Sequence, residues 1–319
     1  MIFLYLYFVQ KEGRRSVIPF HSPALSEKDG YEALLWESGV GNCEYSFANL
    51  FLWGRQHIAY IGGCAVFFSQ FNRRSVYPFP IGNGDRKAAL DAVMEDAAHR
   101  GIPCRLTGMR PADCAFLEAV YPGRFRFHTD RDSFDYIYAI DDLADLKGRK
   151  FQKKRNHIHG FSAAHPDCVF VPMEDGDLSD VSDMAALWFS QRILADPHAD
   201  LQMEQAALKK ALANFAALGM EGMLARENGK VIAMALGTRL SETIFDIHFE
   251  KALDGYDGLY AAINQRFSAY LRSRYPAVRL LNREDDLGLP GLRQAKLSYC
   301  PVAMVEKSWA HLTEDGYDY

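Results

Sequence analysis

The segment ETIFDIHFE, residues 242–250, alternates apolar and ionisable side chains. In a β-strand this alternation places Asp246, His248 and Glu250 on one face, with neighbours about 6.6 Å apart. A carboxylate beside an imidazole can take a proton from an amine or a hydroxyl near neutral pH. We therefore predict a catalytic site here, with His248 as the general base and Glu250 as the second candidate. The alternative is the solvent-exposed face of an antiparallel strand.

A second segment, LLNREDDLGLPGLRQAKLSY, carries a run of polar and charged residues where an apolar strand ends. Binding groups often lie at the carboxyl ends of strands in open sheets that contain parallel strands. We predict that Asn282, Arg283, Glu284 and Asp285 bind substrate at the rim of a cleft. A single acid in this run has the alternative role of capping the helix that follows.

A third segment, KFQKKRNHIHGF at residues 150–161, concentrates positive charge in a chain whose net charge is −5. The excess of basic residues is larger than a helix dipole requires, at about 0.3–1 kcal/mol for each well-placed charge. We predict a site for phosphate or RNA backbone, and a solvated helix face is the alternative. The predicted anion-binding residues are Lys150, Lys153, Lys154, Arg155, Asn156 and His157.

The elements that position these segments occur twice in a similar order. Each half contains a hairpin, a strand, a helix, a strand, a short helix and a strand, with hairpin turns at Gly62-Gly63 and Asn228-Gly229. We predict one long strand near residues 126–140, a basic helix from Asp141 to about residue 161, and one closing strand over residues 298–307. The fold class is therefore α/β with mixed sheets.

Composition restricts the class of protein. A chain of 319 residues with 49% hydrophobic residues suits two globular domains, and its mild acidity argues against broad binding to DNA or RNA. The six cysteines form no CxxC pair, and neither they nor the histidines have metal-ligand spacing, so we expect no metal and a cytoplasmic protein. The first apolar run has nine residues, too few to span a membrane. We expect residues 1–16 to be an extension or a misplaced start.

Four stretches resemble a known family: CEYSFANLFLW, LKGRKFQKKRNHIHGF, FDIHFEKALDGYDGLYAAINQRF and LNREDDLGLPGLRQAKLSYCP. In this order they resemble bacterial proteins of unknown function related to the C-terminal domain of phosphatidylglycerol lysyltransferases. The resemblance implies two tandem GNAT-like acyltransferase domains, as in FemX-like aminoacyltransferases, which we place at residues 17–155 and 156–319. It also adds Tyr256, Asn264 and Lys296 of the matching stretches to the substrate-binding residues.

The resemblance implies transfer of an aminoacyl group from aminoacyl-tRNA to an amine or hydroxyl of a small-molecule or peptide acceptor, without a cofactor. The sequence contains no membrane-spanning region before the domain, which argues against a lipid acceptor. Acetyl-CoA is the alternative donor, but LDGYDGLY lacks the Arg or Gln that begins the usual pyrophosphate loop. A non-catalytic binding protein on the same fold is the third possibility.

Overall fold

The computed structural model describes residues 17–71, 74–195 and 201–313. The apolar run at residues 1–9 therefore lies outside the described residues. The α-helices of the described chain are α1 (Lys28–Ser38), α2 (Phe47–Trp53), α3 (Arg86–Arg100), α4 (Pro111–Val120), α5 (Ile140–Asp145), α6 (Gln152–Ala164), α7 (Leu178–Ala195), α8 (Gln202–Ala213), α9 (Leu259–Arg274) and α10 (Pro290–Leu297). No helix in these ranges is both long enough and apolar enough to cross a membrane.

The strands of the described chain form two sheets. They are β1 (Gln56–Ile61), β2 (Cys64–Phe71), β3 (Arg74–Pro78), β4 (Arg105–Met109), β5 (Phe125–Thr129), β6 (Asp135–Ala139), β7 (Val169–Pro172), β8 (Glu221–Glu227), β9 (Lys230–Arg239), β10 (Ile244–Ala252), β11 (Leu280–Asn282), β12 (Ala303–Val305) and β13 (Ser308–Leu312). The first sheet has the order β1-β2-β3-β4-β13-β5, and the second has the order β12-β6-β11-β10-β9-β8-β7. Both sheets are mixed, since β3 and β4 are parallel, as are β10 and β11. The predicted fold class is confirmed.

Each sheet contains a strand from the other half of the chain. The predicted single strand near residues 126–140 is wrong, because Asp130–Ser133 turns the chain and separates β5 in the first sheet from β6 in the second. The predicted closing strand over residues 298–307 is shorter in the structure, since only β12 lies in that range, and β13, which joins the first sheet, follows it. The domain boundary at residue 155 stays a prediction. The strand β6 precedes that residue and already belongs to the second sheet.

The largest buried cluster joins the two halves. It contains Tyr31 and Phe67 from the first half together with Trp188, Met234 and Phe249 from the second. A second cluster packs α9 against the other face of the second sheet. Burial of a large apolar side chain contributes about 1.5–3 kcal/mol, so this shared core holds the two sheets in a fixed relation.

The basic segment is not one continuous helix. Leu146 has a φ of 49° and Gly148 a φ of 84°, which end α5 and redirect the chain. Residues 149–151 form a 3-10 turn, and α6 begins at Gln152. Lys150 therefore lies outside α6, contrary to the prediction of a single helix from Asp141.

Candidate functional site

In the second sheet β10 continues past its last pairing with β11, and we call the region beyond that pairing the gap. β11 ends after a three-residue parallel ladder with β10, and side chains cross the space beyond it. Arg283 Nη2 donates a hydrogen bond to Glu250 Oε1 at 3.0 Å. His248 Nδ1 lies 3.3 Å from Glu284 Oε1. Two of the three segments selected from the sequence therefore meet here.

A β-bulge at His248 changes the direction in which β10 presents its side chains. Ile247 and Phe249 pair with consecutive residues of β9, so His248 is the extra residue. Ile247 packs in the cluster under α9, whereas Phe249 packs in the cluster between the sheets. The prediction of a single shared face is therefore wrong: Asp246 and His248 lie on the side of α2, and Glu250 lies on the side of α9.

On the α9 side, Glu250 is held between two residues that each keep one free polar atom. Its Oε2 accepts a hydrogen bond from Asn264 Nδ2 at 3.0 Å, and its Oε1 accepts the bond from Arg283. Arg283 Nη1 and Asn264 Oδ1 are buried and have no hydrogen-bond partner among the described residues. The gap thus offers a donor and an acceptor on either side of a carboxylate.

Lys154 of α6 reaches the same side of the gap. Its ammonium lies 3.7 Å above the ring of Tyr299, and the guanidinium of Arg283 lies 4.8 Å from that ring. Burial, and then the charge of Arg283, lower the pKa of Lys154. The positive charge of α6 therefore extends to the gap itself.

On the α2 side, Asp246, His248 and Glu284 converge. Thr238 Oγ1 lies 2.8 Å from His248 Nε2, and Asn49 donates to Glu284 Oε1 at 3.0 Å. Burial, and then the neighbouring carboxylates, raise the pKa of Asp246 well above its usual value. The side chain of His248 is 2% exposed, so the access of substrate to the predicted base is restricted.

A buried group of charged and polar residues lies behind this side. Lys307 Nζ contacts Asp135 Oδ1 at 2.6 Å and Glu44 Oε2 at 2.7 Å. Asp135 also accepts hydrogen bonds from the backbone N–H of Cys43 and from Asn282 Nδ2. Burial opposes the charge of Lys307, but Asp135, the Cys43 thiol and Glu44 raise its pKa well above the usual value. The predicted substrate-binding residue Asn282 is thus part of a structural network.

Two further predicted residues adjoin the loop after β11. Lys296 is buried and donates from Nζ to the backbone carbonyl oxygens of Arg283 and Glu284, the second at 3.2 Å. Burial lowers the pKa of Lys296. Burial raises the pKa of Asp285 to about 7. Lys296 therefore fixes the loop that presents Arg283, and its direct contact with substrate stays a prediction.

The groove beside α6 contains other residues of the basic segment. Lys153, Asn156 and His157 line a concave surface of about 550 Å³ together with Gly255 and Asp257 of the loop before α9. In that loop, the ring of Tyr256 lies 4.9 Å from the ring of His165, which also lines the groove. The structure therefore brings the basic helix to LDGYDGLY, the segment at the place of the usual pyrophosphate loop.

The remaining predicted anion-binding residues have protein partners. Lys150 forms an ion pair with Asp142 at 2.7 Å. Arg155 donates from Nη1 to the backbone carbonyl oxygens of Leu146 and Gly148, the second at 2.7 Å. Arg155 therefore satisfies backbone groups where α5 ends, instead of facing the groove.

Sequence reasoning missed several residues at the gap. Asn49 donates to both Glu284 and the backbone carbonyl of Cys43, and its only signal in the sequence is that a buried amide needs hydrogen-bond partners. Thr238 and Asp135 carried no local signal. Thr238 is brought to His248 by the adjacent pairing of β9 with β10, and Asp135 by the pairing of β6 with β11 over more than 100 residues.

The chain matches a known family over most of its length. Residues 38–311 match the family described as phosphatidylglycerol lysyltransferase, C-terminal. This chain belongs to that family. The four sequence stretches predicted this family and its GNAT-like fold.

Solved structures support this assignment. A conserved protein of unknown function from Bacteroides thetaiotaomicron VPI-5482 is 39% identical, covers 93% of this chain and 100% of its own, and has a TM-score of 0.88. L-PGS from Bacillus licheniformis shares the fold at 15% identity, with 91% of this chain and 92% of that chain covered and a TM-score of 0.65. FemX does so at 10% identity, with coverages of 89% and 96% and a TM-score of 0.59.

A curated relative matches a smaller part of the chain. An uncharacterised protein of Mycoplasmoides gallisepticum (strain R(low)) is 25% identical over 180 residues, which are 55% of this chain and 55% of that protein. The match thus spans about half the length of that relative.

Proposed function

We propose that this protein transfers an aminoacyl group from aminoacyl-tRNA to an amine or hydroxyl acceptor. The observation that carries the proposal is the arrangement around Glu250. This carboxylate is flanked by a free donor, Arg283 Nη1, and a free acceptor, Asn264 Oδ1, at the gap between β10 and β11. An aminoacyl ester brings a carbonyl oxygen and an amino group, which are complementary to these two atoms.

The proposed binding of aminoacyl-tRNA rests on two lysines. Lys153 and Lys154 have no carboxylate ion-pair partner among the described residues, whereas Lys147 and Lys150 are paired with Asp145 and Asp142. Cations that are not neutralised by the protein are the ones that can replace the counterions of an RNA backbone. Lys153 is exposed at the groove and Lys154 points to the gap, so a bound tRNA end would run from the groove to Arg283.

The chemistry follows from the same atoms. The nucleophile of the acceptor attacks the ester carbonyl, and Glu250 takes its proton. Arg283 Nη1 donates to the carbonyl oxygen as negative charge develops there, which is the role of an oxyanion-hole donor. The new C–N or C–O bond replaces the C–O bond to the tRNA ribose, which leaves as a hydroxyl with the proton from Glu250.

The donor site is tested by the affinity for bulk tRNA at several salt concentrations. For Lys153→Ala/Lys154→Ala we expect weaker binding and a slope of log affinity against log salt reduced by roughly 0.7 to 0.9 for each phosphate that a lysine no longer neutralises. The matched control is Lys147→Ala/Lys150→Ala, whose lysines are already paired with acids. Equal slopes in all three proteins, or no binding of tRNA by wild type, would show that α6 is a solvated helix face and not a tRNA-binding site.

A further inference from the structure

The side chains of Asp246, His248 and Glu284 enclose a small region on the α2 side of β10. One ligand atom from each residue lies within 4.8 Å of the other two. His248 Nδ1 is 3.3 Å from Glu284 Oε1 and 3.5 Å from Asp246 Oδ2. Two carboxylates and one imidazole thus point at one position.

Asp246 is a buried carboxyl group that lacks hydrogen bonds in the part of the chain that the structure describes. Its side chain is 0% exposed, and neither carboxylate oxygen has a hydrogen-bond partner among the described residues. A buried ionised carboxylate without a partner is strongly unfavourable. Lys307 is already bonded to Asp135 and Glu44 and makes no hydrogen bond to Asp246.

The distances around His248 suit a shared ion better than direct hydrogen bonds. Charge-assisted hydrogen bonds between nitrogen and oxygen are about 2.7–2.9 Å long, shorter than both separations at Nδ1. Two ligands that each lie about 2.1 Å from one ion are roughly 3.0–3.4 Å apart in octahedral or tetrahedral geometry. The separations of 3.3 and 3.5 Å are close to this range.

The surroundings also orient the three side chains. Thr238 Oγ1 lies 2.8 Å from Nε2, so the tautomer with its N–H on Nε2 would donate to Thr238 and leave the Nδ1 lone pair on the side of the two carboxylates. Asn49 holds Glu284 by a hydrogen bond of 3.0 Å. Partners of this kind fix the tautomer and the orientation of metal ligands.

We propose that Asp246, His248 and Glu284 bind one divalent metal ion of the zinc or manganese type. Mixed imidazole and carboxylate ligands favour these ions over magnesium and calcium, which prefer oxygen ligands alone. The ion joins β10 to the loop after β11. The site extends beyond the proposed transfer reaction and does not depend on it, and it replaces the expectation from the sequence that no metal is bound.

A neighbouring group of potential ligands serves as an internal comparison. Cys43, Glu44 and Asp135 also have ligand atoms within 4.8 Å of one another. The ammonium of Lys307 already contacts both carboxylates of this group, at 2.6 and 2.7 Å. A cation is thus already present among these three residues, so we assign no metal to them.

The test is calorimetric titration of the untagged, chelator-treated protein with ZnCl₂ and, separately, with MnCl₂. We expect one ion per chain with either salt and much weaker binding of MgCl₂. His248→Ala should lower the affinity by about 100-fold or more, and Thr238→Val by about 10-fold. Cys43→Ala should bind as wild type does. No binding by wild type, or loss of binding in Cys43→Ala but not in His248→Ala, would overturn the proposal.

If the His248 variant does not fold, the absorption spectrum of cobalt(II) bound to the wild-type protein tests the metal site. Cobalt(II) added to wild type should give weak visible bands without the intense near-ultraviolet absorption of a thiolate ligand. That intense absorption would place the ion at Cys43 and overturn the proposal, as would a spectrum identical to that of free cobalt.

Discussion

Arg283 bridges the two separated strands of the second sheet by donating to Glu250 at 3.0 Å, while its Nη1 has no hydrogen-bond partner among the described residues. One nitrogen of the guanidinium thereby holds the side chain in place, and the other keeps its capacity to donate a hydrogen bond. We infer that this guanidinium is positioned by the acid and acts on the donor carbonyl. Its rigid fork is what the arrangement requires, and a lysine would not reproduce it.

Arg283→Lys should reduce the rate of aminoacyl transfer by roughly 10²–10³-fold, which is typical for loss of an oxyanion-hole donor. We expect the effect in kcat, because the bond strengthens in the transition state. Steady-state kinetics check this, with the exposed Arg279→Lys as the control and the melting temperature measured for both. An unchanged kcat with a raised KM would assign Arg283 to substrate binding alone.

Lys307→Met should destabilise the protein by about 3–5 kcal/mol, because it leaves the buried Asp135 carboxylate without its ion-pair partner. Urea unfolding measures the change. The control is Lys147→Met, which removes an exposed pair with Asp145 and should cost about 0–1 kcal/mol. Similar losses in both variants would show that the Lys307 network does not stabilise the junction of the sheets.

Gly258→Ala should disturb the contact between α6 and α9. A Cβ there would lie 2.3 Å from the backbone oxygen of His157, and the φ of 88° disfavours a side chain. Gly255→Ala has a similar φ of 91° but nothing within 4 Å of the added carbon, so it should cost only about 1–2 kcal/mol. Gly258→Ala should cost roughly 1–3 kcal/mol more by urea unfolding, from steric overlap. Equal costs would mean that the helices separate freely at this point.

Arg155→Ala should lower the stability by about 1–3 kcal/mol, because it leaves the carbonyl oxygens of Leu146 and Gly148 without their donor. Lys153→Ala, at an exposed position of the same helix, should change the stability by no more than about 0.5 kcal/mol. Thermal unfolding of the two variants measures this difference in stability, and tRNA affinity is measured on the same proteins. A stable Arg155→Ala protein that loses tRNA affinity would instead make Arg155 a phosphate ligand.

Local patterns predicted many of the elements, and long-range pairing decided the rest. The hairpin turns at Gly62-Gly63 and Asn228-Gly229 are in the structure, since turn residues are a local signal. The division of residues 126–140 between two sheets has no such signal. It depends on pairing of β6 with β11, more than 100 residues away.

The sequence predicted which segments form the site, but not on which side of the sheet each side chain lies. Asp246, His248 and Glu250 are on the expected strand, yet the bulge at His248 reverses the alternation, and period-2 reasoning assumes a regular strand. Glu284 lies 36 residues from His248, so their contact depends on the parallel pairing of β10 with β11. The roles of these residues as catalytic groups stay proposals.

The most direct measurement follows radiolabelled amino acids from bulk charged tRNA into acceptors of a membrane-containing cell extract freed of RNA. We expect label to leave the RNA faster with wild type than with Lys153→Ala/Lys154→Ala or Glu250→Gln. We also expect no labelled product if the charged tRNA is first treated with ribonuclease. A parallel reaction supplies labelled acetyl-CoA in place of tRNA. Label that leaves tRNA only at the uncatalysed rate would contradict the account: with acetyl transfer it would indicate an acyl-CoA enzyme, and without it a binding protein.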